Sequence, residues 1–217
     1  MRFDKKTVIV TGGARGIGNA IASGFAEEGA RVVIADILEN EGKNAEKRLK
    51  ETGAECIFVK TDVSSKNDVE NLIETALTKF DEIHILVNVA GICPFEDFLN
   101  IPEDMWERVM DVNLKGVFLC SQAAAQSMIE RSIKGKIVSI GSISSIVGGA
   151  QQAHYCATKA GINLLNASMA IALGPHGINC NVVMPGPVET DINKEDLADQ
   201  EKRDYFIKRT PCLLYTS

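Results

Sequence analysis

Apolar positions along this chain follow two alternating periods. Short, continuous, β-branched runs at residues 7–10, 31–35, 56–60, 83–88, 136–140 and 178–184 read as strands buried on both faces. Between them lie longer stretches with apolar residues at helical spacing: the segment reaching to about residue 29, then 40–52, 65–80, 102–131 and 154–173. Ser65 three residues before Asp68 predicts a helix N-cap box, and the pattern within 102–131 predicts a break near Asn113. Strands separated by helices predict an α/β fold, a doubly wound parallel sheet with helices on both faces.

Length and composition narrow the class. The 217 residues suffice for one domain, and 45% hydrophobic with 24% charged residues excludes a disordered chain. A net charge of −6 argues against nucleic-acid or anionic-membrane partners, which need a basic surface. No apolar run is long enough for a membrane span or a signal peptide, so a cytoplasmic location is expected. Six cysteines without a C-x-x-C pair read as reduced, small apolar side chains, and three scattered histidines predict no metal site.

The chemistry is concentrated in a few segments. Thr11-Gly12-Gly13-Ala14-Arg15-Gly16-Ile17-Gly18 joins the first strand to the first helix. Glycines there let the backbone turn tightly and approach a pyrophosphate, which the positive end of the following helix favours. Asp36 ends the second strand, where a carboxylate can accept from both ribose hydroxyls and repel a 2′-phosphate. That favours NAD, while Arg15 leaves NADP open. Tyr155 and Lys159 stand four apart on one helix face, so an ammonium can draw down the pKa of a phenol acting as a general base. Ser142 follows the fifth strand, at the end of the sheet that faces the crevice.

Taken in order, these motifs resemble the classical short-chain dehydrogenase/reductase family. The likeness runs over nearly the whole chain: Thr11, Gly12, Gly16 and Gly18; Asp62-Val63; Asn88-Val89-Ala90-Gly91; Asn113; Ser142; Tyr155 with Lys159; and Pro185-Gly186 with Thr190. Val89 departs from the second asparagine of the family's NNAG turn, with a small geometric effect expected. The resemblance implies a Rossmann-type fold and hydride transfer from a substrate hydroxyl to NAD. It implies Tyr155 as base, Lys159 as its pKa modulator and ribose holder, Ser142 as substrate positioner, and Asn113 as keeper of a helix bend and a water. Cofactor contacts are implied at Gly12, Arg15, Gly16, Ile17, Gly18, Asp36, Asp62, Val63, Asn88, Ala90, Gly91, Tyr155, Lys159, Pro185, Gly186, Val188 and Thr190.

Three less general segments, 92–95, 142–155 and 190–197, are similar to those of aldose 1-dehydrogenases that oxidise L-rhamnose to its lactone. Ser142, Ser144, Gln152, Tyr155, Thr190 and Asn193 then become candidate partners for sugar hydroxyls. A 3-oxoacyl-[acyl-carrier-protein] reductase is the alternative enzyme, and a catalytically idle nucleotide-binding scaffold the alternative of another class. The resemblance also implies a homo-oligomer, a tetramer for a full-length parent. It predicts residues 1–211 as a single, truncated dinucleotide-binding catalytic domain. Six strands are expected and a seventh missing, which leaves the sixth as an edge. Residues 212–217 are expected to be a non-native tail, because transposon-end DNA would encode the same six residues, and the chain as written is expected to be at best dimeric and weakly active.

Overall fold

The computed structural model describes residues 1–190, 196–209 and 215–216. The six predicted strands are β1 (Thr7–Thr11), β2 (Arg31–Asp36), β3 (Cys56–Lys60), β4 (Ile85–Asn88), β5 (Lys136–Ile140) and β6 (Asn179–Val183). They form one sheet in the order β3-β2-β1-β4-β5-β6, and every pairing is parallel. Strand order reverses between β1 and β4. In open α/β sheets, ligands bind beside the carboxyl ends of the strands at that point.

Strand residues alternate between two cores, as the pleat requires. Ile9, Val33, Ala35, Leu86 and Ile137 bury against α3 (Lys66–Phe80) and α5 (Gly116–Glu130). Their neighbours Val8, Val10, Val32, Ile34, Ile85 and Val87 bury against α1 (Gly16–Glu27) and α2 (Glu39–Glu51). α6 (Ala153–Leu173) packs on β6. On β6, Asn179, Asn181 and Val183 are exposed, so this outer strand has an open face among the described residues.

Two local features were anticipated and take a specific form. Ser65 caps α3 by accepting from the Asp68 amide at 3.3 Å. The Asp68 carboxylate then accepts from the Asp62 amide at 3.0 Å, which ties the segment after β3 to the helix start. The break near Asn113 is a π turn, Asp111–Lys115, between α4 (Glu103–Met110) and α5. Such a turn inserts one residue and re-aims the side chains on either side of it. Beyond β6, Val188–Glu189 pairs with Tyr215–Thr216 as a separate two-stranded ribbon, β7 and β8, and α7 is Gln200–Arg209.

Candidate active site

A cavity of about 530 Å³ runs along the carboxyl ends of the strands. One end is built from backbone. Gly12 has φ of 63°, and a Cβ there would lie 2.8 Å from the Ala90 backbone. A Cβ on Gly18 would lie 2.0 Å from the Gly12 carbonyl oxygen. Glycine is therefore required at Gly12 by conformation and by contact, and at Gly18 by contact alone. Thr11 Oγ1 accepts from the amides of Val89 and Ala90 at 3.1 and 3.3 Å, so the glycine turn and the β4 loop are clamped together. Val89, the departure from the family pattern, keeps this amide contact.

The residues at this end suit a dinucleotide. α1 has no side-chain cap on its first turn and no acidic residue in it, so its positive end faces the cavity undiminished. Asp36 is buried, and its two carboxylate oxygens accept from the amides of Ala14 and Leu38, each at 3.0 Å. Each oxygen keeps lone-pair capacity for a ribose hydroxyl. Along the wall, Asp62 accepts from the Ser64 amide and hydroxyl at 2.9 and 2.6 Å and meets Arg108 at 3.5 Å. Partial burial pushes its carboxyl up, but these donors outweigh that and hold it below its ordinary value. Val63 packs where a Cβ on Gly116 would meet it at 2.7 Å, which brings α5 close to the wall.

The other end is built from side chains. Ser142, Ser144, Gln152, Tyr155 and Lys159 all line it, as Pro185, Gly186, Val188 and Thr190 line the cavity beside them. Lys159 is 5% exposed. Its Nζ donates to the Ile140 carbonyl at 2.7 Å and lies 5.5 Å from the centre of the Tyr155 ring. One donor of three is used, and the other two fit a pair of ribose hydroxyls. Burial pulls the Lys159 pKa down to about 8. Burial also pushes Tyr155 up to about 12, with the Ser142 hydroxyl pulling the other way. The direction is opposite to the one expected from Lys159 alone, because loss of hydration on the phenolate dominates at this distance.

Two sequence candidates sit behind the cavity wall instead of on it. Asn88 is 2% exposed, and its amide donates to Ser121 and Ser139 at 3.0 and 3.3 Å. It joins β4, β5 and α5 below the cavity and has no surface to offer a cofactor. Asn113 is fully buried. Its side chain pairs with both backbone groups of Ile92 at 2.8 Å and donates to Thr158 Oγ1 at 3.3 Å. It thus fastens the β4 loop to α6, one turn from Tyr155. Asn193 lies outside the described residues.

Several lining residues were not singled out from sequence, Arg108 and Ile140 among them, and Cys93 and Phe95 belong to segment 92–95, in which no single residue was given a role. Arg108 reaches Asp62 across 46 residues of chain, a pairing no local pattern reveals. Segment 92–97 is stitched to the start of α6. The Gln152 amide donates to the Cys93 thiol at 3.4 Å, Glu96 N donates to the Gln151 carbonyl at 3.1 Å, and Gln151 Nε2 donates to Asp97 at 3.1 Å. His154 is fully buried beneath this seam; burial lowers its pKa, with a hydrogen bond to the Pro94 backbone pulling the other way.

A doubly wound sheet whose glycine turn opens a crevice ending on serine, tyrosine and lysine is the architecture of a dinucleotide-dependent oxidoreductase. The short chain dehydrogenase family model matches residues 6–201, and the chain belongs to that family. It is 47% identical over 210 residues to an Azotobacter vinelandii L-rhamnose 1-dehydrogenase (NAD(P)(+)), covering 95% of this chain and 82% of that protein. It is 44% identical over 209 residues to a Thermoplasma acidophilum L-rhamnose 1-dehydrogenase (NADP(+)), covering 96% and 82%. Among solved structures, a gluconate 5-dehydrogenase from Burkholderia cenocepacia, in complex with NADP and tartrate, superposes with a TM-score of 0.93 at 34% identity, covering 99% of this chain and 84% of that one.

Proposed function

We propose that this chain is an NAD(P)+-dependent aldose 1-dehydrogenase that oxidises the anomeric hydroxyl of L-rhamnose to a lactone. The observation that carries the reading is the cavity end where Ser142, Tyr155 and Lys159 meet, in a chain 44–47% identical to enzymes named for that sugar. A bound nicotinamide supplies the hydride acceptor. The protein's part is orientation and proton handling. Tyr155 takes the hydroxyl proton as the carbon–oxygen double bond forms, and Ser142 donates to the same oxygen. Lys159 holds the ribose with its two remaining donors and, as a cation, favours the phenolate. Asn113 keeps the β4 loop and the α6 backbone in register behind them. Ser144, Gln152 and Thr190 complete the sugar contacts.

Asp36 favours NAD+, and the exposed Arg15 in the glycine turn gives a 2′-phosphate a partner, so both cofactors are accepted. The exposed apolar residues Phe118 on α5 and Leu164 and Ile171 on α6 support a homo-oligomer, which light scattering tests. No described helix is long and apolar enough to cross a membrane, and the five described cysteines are free, which supports a cytoplasmic enzyme. The test of function is cofactor reduction at alkaline pH with L-rhamnose, D-glucose and other aldoses, each with NAD+ and NADP+. NADH or NADPH with L-rhamnose is expected. Turnover of an acetoacetyl thioester with no sugar oxidised would overturn the reading in favour of an acyl reductase. Cofactor binding without any turnover would leave a scaffold.

A further inference from the structure

Gln152 stands in a narrow slot. A Cβ on Gly149 would lie 2.5 Å from Gln152 Oε1 and 3.2 Å from its Cβ, so glycine at 149 leaves the carboxamide the space it occupies. On its other side, Nε2 donates to Cys93 Sγ at 3.4 Å. A thiol sulfur is a weak acceptor, but here it takes one of the amide's two N–H donors and orients the carboxamide. Oε1 keeps its acceptor capacity, and both Gln152 and Cys93 line the cavity. Tyr155 and Lys159 line the same cavity, so Gln152 and Cys93 share the wall with the reacting groups.

We infer that Cys93 is a positioning residue for substrate selection: its thiol fixes the Gln152 carboxamide so that Oε1 accepts a hydrogen bond from a ring hydroxyl of the sugar. This rests on the sugar-oxidising reading above and goes beyond it, since the cysteines read from sequence as inert apolar side chains. It also gives Gly149 a role in specificity that backbone conformation does not require.

The test is steady-state oxidation of L-rhamnose at saturating NAD+ by wild type, Cys93→Ala, Cys93→Ser, Gln152→Ala and the double variant. NADH affinity is followed in parallel by fluorescence. Loss of one neutral hydrogen bond corresponds to about a 2- to 10-fold effect. Gln152→Ala is expected to raise KM about tenfold and Cys93→Ala about threefold, with kcat changed less than about twofold in each. Cys93→Ser, which keeps an acceptor, recovers most of the KM. The double variant is no worse than Gln152→Ala, because the thiol acts only through the amide. NADH affinity stays at the wild-type value throughout. An unchanged KM in Cys93→Ala, additive effects in the double variant, or a fall in kcat and NADH affinity that serine does not rescue would each overturn the inference while leaving the sugar reading intact. No sugar oxidation by wild type overturns both.

Discussion

The two ends of the cavity are built by different means. At the glycine turn, position is set by backbone that has nowhere else to go: Gly12 against Ala90, Gly18 against the Gly12 carbonyl, and Asp36 locked by two amides. At the reacting end, position is set by side chains across a seam between segments 92–97 and 149–158. The first end is tuned for a cofactor whose shape is constant. The second can be re-cut by single substitutions, as a family that shares one cofactor chemistry among many substrates requires.

The contrast can be broken most severely at the glycine turn. Gly12→Ala puts an L residue at φ of 63° and a methyl 2.8 Å from backbone, which should cost about 4 kcal/mol and abolish cofactor binding. Denaturant unfolding with NADH titration checks this, and unaltered cofactor affinity would mean the turn is softer than the geometry indicates.

Lys159→Met tests the other end with the opposite sign. The Lys159 pKa in the fold is about 8, below its unfolded value near 10.5. The folded state therefore binds fewer protons between those values, so its stability rises with pH across that window and is depressed below it. Removing the charge should stabilise the protein by up to about 3 kcal/mol at pH 7, with the gain fading as the pH rises from about 8 and gone by about 10.5, while catalysis is lost. Destabilisation at pH 7 would show that the ammonium is better solvated than its burial implies.

Asn113→Ala leaves both backbone groups of Ile92 without their partner and should cost about 2 kcal/mol, with kcat falling more than cofactor affinity. The smallest effect is expected from Gly149→Ala, whose nearest contacts are all side-chain atoms of Gln152. Unfolding free energy should move by less than about 1 kcal/mol while the KM for sugar rises. A change in NADH affinity there would erase the distinction between the ends.

What could be read in advance divides along the same line. All six strands of the sheet and the break at Asn113 follow from periodicity, because strands buried on both faces leave long apolar runs. The glycine turn is legible because steric need confines those positions to one residue type. Asn113 was legible as the keeper of a helix bend, but Asn88 was not legible as a support: a motif marks a position without saying which side of the wall its side chain occupies. The pairings of Cys93 and Arg108 carried no local signal, although segment 92–95 marked the neighbourhood of Cys93. Their partners, Gln152 and Asp62, are remote in sequence, and only the packed loop brings them together. The direction of the Tyr155 shift was likewise hidden, since spacing on a helix reports the neighbour's charge and not the water lost on burial.

The central claim is that Tyr155 moves the proton while the glycine-turn end holds the cofactor independently. Tyr155→Phe tests it in one preparation, by L-rhamnose oxidation and NADH binding measured together. Oxidation is expected to fall about 10²- to 10⁴-fold, the usual worth of a general base, with NADH affinity within about twofold of wild type. Retained oxidation, or cofactor affinity lost along with it, would contradict the account.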